Sequence, residues 1–124
     1  MPYLYDNQNI FAKILRSEIP NETVLETEFA LAFNDIAPQA PIHVLVIPKG
    51  AYTCYDHFLR EGSSDEILGF NDAILQVIQK LKISPKDNNS GYRVISNAGA
   101  YGAQDVPHLH MHILSGRFLG RMLE

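Results

Sequence analysis

Residues 107–114 read Pro107-His108-Leu109-His110-Met111-His112-Ile113-Leu114, so three histidines stand at alternate positions with apolar residues between them. Side chains along a β-strand point alternately to its two faces, and this spacing therefore predicts a strand with all three imidazoles on one face. Leu109, Met111 and Ile113 would then point the other way, into a core. Successive rings on one face start from Cα atoms roughly 6.6–7 Å apart, which lets several rings engage one small anion or one metal ion. Three of the five histidines of the chain lie in this stretch, and we interpret it as a functional site.

The composition is typical of a globular protein, with 46% apolar and 19% charged residues in 124. At 13.9 kDa we expect one domain over residues 1–124. The formal charge of −4 disfavours broad binding to nucleic acid, which needs clustered Lys and Arg. Cys54 is the only cysteine, which excludes an internal disulfide and fits a reducing cytosol. The chain has no basic leader and no apolar run of membrane-spanning length, so we expect a cytoplasmic protein without a membrane partner.

Local patterns predict two helices and five short strands. The apolar spacing of residues 8–16 predicts an amphipathic helix, and the Ser63-x-x-Glu66 capping box opens a second helix over about 65–82, ended by a turn at 84–91. Apolar and β-branched runs predict strands at 23–26, 29–33, 43–48, 92–96 and 107–115. Residues 49–64 are ambiguous between a loop and a short helix.

This order of elements indicates the class of the fold. A doubly wound parallel sheet needs a crossover helix for nearly every strand, and two helices are too few for five strands. The sequence therefore predicts an α+β fold with a mainly antiparallel sheet. We expect the helices to cover one face of this sheet and the histidines to lie on the other.

The chemistry of the histidine strand leaves three interpretations open. In the first, one histidine is functional and the others are merely polar on an exposed face. In the second, the three histidines bind a metal ion such as zinc, with Asp105 or His43 as a further ligand. In the third, a neutral imidazole attacks phosphorus and forms a covalent intermediate, because histidine is mostly neutral near pH 7 and clustering disfavours protonation of every ring. The glycine-containing loop 97–105, whose N–H groups can bind phosphate oxygens, joins directly to the triad and favours the third interpretation.

The stretch His108-Leu-His110-Met-His112-Ile-Leu114 resembles the His-φ-His-φ-His-φ-φ signature of the histidine-triad (HIT) superfamily, where φ is apolar. The similarity extends over nearly the whole chain and is to the Hint branch, the histidine triad nucleotide-binding proteins. The matching blocks are Asn9–Ile14, Ile19-Pro20, Phe33–His43, Leu45–Lys49, Gly91–Arg93, Asn97, Gly102, Gln104 and Ser115–Arg117. The resemblance implies a HIT fold in which two five-stranded sheets join into one ten-stranded sheet in a homodimer. It also implies hydrolysis of purine nucleoside phosphoramidates and related adenylates to a nucleoside monophosphate, without a cofactor or metal.

The resemblance further implies a role for each site residue. His110 would be the nucleophile that takes the nucleotidyl group, and His112 would hydrogen-bond the phosphate or the bridging atom. His108 and His43 would tune and relay protons around His110. The phosphate would be held by Asn97, by Gln104 and by the backbone around Asp105 and Val106, while Asp35 would bind the ribose hydroxyls. The base pocket would be lined by Ile10, Phe11, Ile14, Phe33 and Ile36, which from the residues alone are expected to be core.

The chain departs from the pattern of the branch at three places. Asp105 stands where a serine or threonine is common, and we hypothesise that its backbone keeps the phosphate contact while its side chain orients a leaving-group amine or a histidine. Ala51 and Tyr52 stand where a further histidine is frequent, so any proton relay would be shorter and rest on His43. Residues 9–12 lack the Cys-x-x-Cys element of some bacterial relatives, which predicts no structural metal.

We therefore expect a purine nucleoside phosphoramidase or adenylate hydrolase that acts through a covalent nucleotidyl-histidine. Two alternatives remain at this point. One is a non-catalytic nucleotide-binding or scaffold protein, and the other is a metal-binding protein that uses His108, His110 and His112.

Overall fold

A five-stranded antiparallel sheet organises the chain, which the computed structural model describes over residues 3–87 and 90–123. Each neighbouring pair of strands in it is antiparallel, and the strands lie in the order β1-β2-β3-β5-β4. The strands are β1 (Thr23–Glu26), β2 (Ala30–Asn34), β3 (Ile42–Pro48), β4 (Tyr92–Ser96) and β5 (Met111–Ser115). The predicted α+β fold is confirmed.

Three helices, rather than the two expected, occur in the described part of the chain: α1 (Ile10–Leu15), α2 (Tyr55–Glu61) and α3 (Ser64–Leu81). The additional helix is α2, which lies in the stretch that the pattern left between loop and short helix. It spans only 7 residues, which is too short for a clear apolar period, and its N-cap Cys54 makes no side-chain capping bond. The sequence therefore carries neither of the two signals that predict a helix.

The capping box of α3 forms as predicted. Ser63 Oγ accepts from the Glu66 amide, and the Ser63 amide donates to Glu66 Oε1, both at 3.0 Å. The helix ends at Leu81, where Lys82 adopts the left-handed conformation with φ of 54°. The predicted turn 84–91 includes residues 88 and 89, which lie outside the described residues.

The two faces of the sheet carry separate apolar clusters. Along β3, Val44 and Val46 point toward α2 and α3, whereas Leu45 and Ile47 point toward α1. The α2–α3 cluster includes Phe58, Phe70, Val77, Leu109, Met111 and Ile113. The α1 cluster consists of Phe11, Ile14, Leu31, Phe33, Leu45 and Ile47.

The expectation that the helices share one face is wrong for α1. Its buried Phe11 and Ile14 pack on the sheet face opposite α2 and α3. Phe11 also contacts the rings of His108 and His110, so α1 and the histidines lie on the same side of the sheet.

The last strand is shorter than predicted, because β5 begins at Met111 and not at residue 107. Pro107 has no amide hydrogen, and the amides of His108 and Leu109 donate to the carbonyls of Val106 and Tyr52, each at 2.8 Å. These donors are therefore unavailable to a neighbouring strand. The side chains alternate nevertheless, since Leu109 and Met111 both lie in the α2–α3 cluster.

None of the helices within residues 3–87 and 90–123 combines the length and the apolar character that a membrane crossing requires.

Candidate active site

His110 lies directly before β5, and its ring is fixed by a backbone contact. Its Nδ1 is 2.7 Å from the carbonyl oxygen of His108, and its ring packs edge-on against Phe11 with centroids 4.9 Å apart. A carbonyl oxygen can only accept, so the neutral ring carries its proton on Nδ1. The lone pair of His110 is thereby placed on Nε2, the nitrogen that can act as a nucleophile.

His112 forms a hydrogen-bonded pair with His43 on the adjacent strand β3. The Nε2 of His43 is 2.9 Å from the Nδ1 of His112. The Gln39 amide donates to His43 Nδ1 at 3.1 Å, so the neutral His43 ring carries its proton on Nε2 and donates it to His112. His112 is left with an N–H donor at Nε2, on a ring whose centroid lies 5.0 Å from that of His110.

His108 is fully buried, with 0% exposure, and both of its ring nitrogens are engaged. Nε2 is 2.9 Å from the Pro48 carbonyl oxygen and must donate to it, while Nδ1 is 2.6 Å from the Tyr5 hydroxyl. The ring thus contacts Tyr5 and Pro48, and the hydrogen bond between His108 and His110 runs through the His108 carbonyl. The proton relay through the His108 ring stays a prediction. What the structure gives is a contact from the His108 carbonyl that orients the ring of His110.

Burial keeps the four rings of the site neutral. It lowers the pKa of His108 to about 4. The pKa of His112 is also lowered to about 4, first by burial and then by the repulsion that His110 and His43 would exert when protonated. Burial also lowers the pKa of His110 and of His43 below the usual 6.5. A neutral His110 near pH 7 is the form that carries a nucleophilic lone pair.

Two carboxylates near the site favour the protonated form of the histidines. The charges of Asp35 and Asp105 raise the pKa of His110 and of His112, although burial outweighs them. Asp35 Oδ2 lies 3.4 Å from His43 Nε2, and its Oδ1 accepts from the Ala37 amide at 2.8 Å. Asp35 therefore borders the His43–His112 pair, while Asp105 is exposed on the loop before the triad.

Gln104 braces the loop that precedes the histidines. Its Nε2 donates to the carbonyls of Thr53 at 2.6 Å and Val106 at 2.9 Å, and its Oε1 accepts from the Gly99 amide at 3.4 Å. A phosphate contact from this side chain would require it to give up one of these bonds. Asn97, the other predicted phosphate ligand, is half-buried directly after β4.

The five apolar residues predicted to line a base pocket fall into two groups. Phe11, Ile14 and Phe33 are buried in the α1 cluster, as expected for core residues. Ile10 is 41% exposed and Ile36 is 96% exposed. Only these last two offer substantial surface to a ligand, and Ile36 directly follows Asp35.

A metal ion in this site would compete with the protons that the histidine rings carry. Asp35, His43 and His112 offer ligand atoms that lie within 4.8 Å of one another. However, the Gln39 amide occupies Nδ1 of His43, so Nε2 carries a proton and is directed at His112. A cation there would have to displace that proton, and His108 has no ring nitrogen to spare. The geometry favours a hydrogen-bonded pair over a metal centre.

Sequence reasoning missed the partners that hold the rings. Tyr5 contacts His108 across 103 positions of sequence, and no local pattern links them. The Gln39 amide and the Pro48 carbonyl are backbone groups, whose involvement no side-chain pattern reveals.

Known proteins resemble this chain over nearly its whole length. The family model of the HIT domain matches residues 16–119. An uncharacterized 13.2 kDa HIT-like protein of Azospirillum brasilense is 50% identical over 123 residues, covering 99% of this chain and 98% of that protein. The purine nucleoside phosphoramidase of Escherichia coli K12 is 39% identical over 116 residues, covering 94% and 93%. The solved structure of a HIT family hydrolase from Clostridium thermocellum superposes with a TM-score of 0.81 at 34% identity, covering 96% of this chain and 99% of that one.

Proposed function

Because this chain belongs to the HIT family, we propose that it is a hydrolase that cleaves purine nucleoside phosphoramidates or related adenylates and releases the nucleoside monophosphate. The relatives named a hydrolase and a purine nucleoside phosphoramidase support this class of reaction. One observation carries the proposal. The contact of His110 Nδ1 with the His108 carbonyl leaves the lone pair of a neutral imidazole on Nε2, beside a second neutral ring that carries an N–H.

In the first step, the Nε2 lone pair of His110 forms a bond to phosphorus. The bond from phosphorus to the leaving group breaks, and its electron pair goes to the leaving group, which takes a proton from solvent when it is an amine. The imidazole becomes positively charged, and its Nδ1–H then makes a charge-assisted hydrogen bond to the His108 carbonyl at a preset 2.7 Å. This contact strengthens as charge develops, so it favours the transition state over the ground state.

In the second step, water attacks the same phosphorus and the bond to His110 breaks. The electron pair returns to Nε2, one proton of the water passes to solvent, and the nucleoside monophosphate leaves. The N–H of His112 donates to a phosphate oxygen in both steps, with its proton held on Nε2 by the bond from His43. Splitting the displacement in two is the general advantage of covalent catalysis.

The remaining residues bind the nucleotide in this proposal. Asn97 and the backbone of Asp105 and Val106 border the phosphate. Asp35 offers Oδ2 to the ribose hydroxyls, since its Oδ1 is engaged by the Ala37 amide. Ile36, exposed next to Asp35, contacts the base together with Ile10.

Turnover of adenosine 5′-phosphoramidate tests the proposal. The wild type should release AMP at a rate that a chelator leaves unchanged, and His110→Ala should abolish release while retaining AMP binding. Leu68→Ala is the control and should leave the release of AMP unchanged, because Leu68 is exposed on α3, on the face of the sheet opposite the histidines. Nucleotide binding without turnover by the wild type would favour the non-catalytic alternative, and loss of activity on chelation would favour the metal-binding one.

We also propose a homodimer joined through β4. This strand lies at the edge of the sheet, where Tyr92 and Val94 are exposed, and an open strand edge is a template for pairing with another chain. Light scattering should give twice the 13.9 kDa chain mass. Val94→Lys should weaken the dimer, whereas Leu59→Lys, at an exposed leucine on α2, should leave it intact. A monomeric wild type at micromolar concentration would contradict this assembly.

A further inference from the structure

We propose that Tyr5 is a positioning residue for His110, acting through His108, and that residues 3–9 form a strap that holds Tyr5 in place. The inference rests on the proposed function, because it assigns Tyr5 a part in the same reaction. The strap precedes residues 16–119, which the HIT domain model matches, so this role is additional to the matched segment.

His108 links Tyr5 to the nucleophile, because Tyr5 bonds its ring and His110 bonds its backbone carbonyl. The Tyr5 hydroxyl is 2.6 Å from Nδ1 of His108, whose Nε2 donates to the Pro48 carbonyl at 2.9 Å. The ring of His108 is therefore clamped between two partners. The carbonyl of the same residue accepts from His110 Nδ1 at 2.7 Å. Fixing the ring of His108 thus also restricts the carbonyl that sets the orientation of His110.

The proton positions make Tyr5 the donor. The Pro48 carbonyl can only accept, so the neutral His108 ring carries its proton on Nε2 and needs a donor at Nδ1. Burial raises the pKa of Tyr5, so its hydroxyl keeps its proton. Removal of the hydroxyl would leave a buried nitrogen without a donor, which is costlier than losing an exposed hydrogen bond.

The strap is anchored on both sides of Tyr5, independently of His108. On one side, the Tyr3 ring stacks on His57 with centroids 4.2 Å apart and planes 7° apart. This stack needs only the ring, and the hydroxyl of Tyr3 donates to Asp56 at the exposed surface. On the other side, Asn9 caps α1 by accepting from the Ala12 amide at 2.9 Å. Tyr5 is thus held between two fixed points, as a positioning residue requires.

The effect expected on the reaction is specific. The contact of His110 with the His108 carbonyl matters most once His110 is positively charged, so a loosened His108 should lower kcat. His108 is fully buried and cannot touch substrate, so KM should change little. Loss of one neutral hydrogen bond corresponds to a fall in kcat of about fivefold to tenfold.

The test compares Tyr5→Phe with Tyr3→Phe. Each removes one hydroxyl from the strap and keeps the ring, but only Tyr5 contacts His108. With adenosine 5′-phosphoramidate, Tyr5→Phe should lower kcat about fivefold to tenfold with KM within twofold of the wild type, and Tyr3→Phe should change neither. Equal kcat values in the two variants, or equal losses in both, would overturn the proposal.

A second readout does not depend on turnover. Nitrogen NMR of the histidine rings should show the Nδ1 resonance of His108 shifted in Tyr5→Phe and unshifted in Tyr3→Phe. The Nδ1 proton of His110 should also exchange faster with solvent in Tyr5→Phe alone. If the wild type hydrolyses no phosphoramidate, the proposed function fails while these signals still test the positioning role. Unchanged His108 and His110 signals in Tyr5→Phe would overturn it.

Discussion

The loss of folding stability at acid pH tests the burial of His108, and the lowered pKa of this ring sets the size of that loss. Burial lowers the pKa of this ring to about 4 in the folded chain, against 6.5 when it is exposed. Between these values the unfolded chain holds a proton that the folded chain does not, so stability decreases as the pH falls from 6.5 toward 4. Each pH unit in that interval costs about 1.4 kcal/mol for one group. His108 alone should therefore remove about 3 kcal/mol of stability between pH 7 and pH 4.

Urea unfolding of the wild type and of His108→Gln across this range isolates the effect, because the other titrating groups are common to both proteins. The variant should be the less stable at pH 7, and the difference should shrink by about 3 kcal/mol by pH 4. Leu109→Ala is the matched control, since its side chain is equally buried and binds no proton. It should lower stability by about 2–5 kcal/mol at every pH. A difference between wild type and His108→Gln that stays constant from pH 7 to pH 4 would refute the reasoning.

Three further outcomes follow from the site and the helix cap. Because burial lowers the pKa of His110, the acid limb of kcat/KM should have an apparent pKa below 6.5, and one above 6.5 would contradict a neutral buried nucleophile. Asp105→Ser removes a charge that raises the pKa of His110, so this limb should move to lower pH; an unchanged rate and pH profile would exclude a role for the Asp105 side chain. Ser63→Ala removes the capping box of α3 and should cost about 1 kcal/mol in urea unfolding, whereas Ser64→Ala, one residue later, should cost much less.

The parts of the fold that local patterns predict are those with a strong period or a recognisable end. The alternation at residues 108–113 correctly assigns Leu109, Met111 and Ile113 to the core. The Ser63–Glu66 capping box places the start of α3 within one residue. The strands at 23–26 and 92–96 have the predicted bounds. In each case neighbouring residues alone carry the signal, so tertiary contacts are not needed to read it.

The predictions that were wrong or incomplete concern features that depend on contacts between residues distant in sequence. The start of β5 is set by the amides of His108 and Leu109, which donate to Val106 and Tyr52 instead of to a neighbouring strand. No pattern within residues 107–110 predicts these bonds. The face on which α1 packs follows from how Phe11 meets the sheet. The partner of His108 is Tyr5, 103 positions away. Local sequence constrains which side of an element is apolar, but it does not identify the partner of that side.

Trapping of the covalent intermediate tests the central claim most directly. The wild type is mixed with adenosine 5′-phosphoramidate, quenched within one turnover and digested, and the peptide that contains residues 107–115 is examined by mass spectrometry. An adenylyl group on His110, absent from His110→Ala, is the predicted result. Full turnover without any adduct on that peptide, or an adduct on a residue other than His110, would contradict the account.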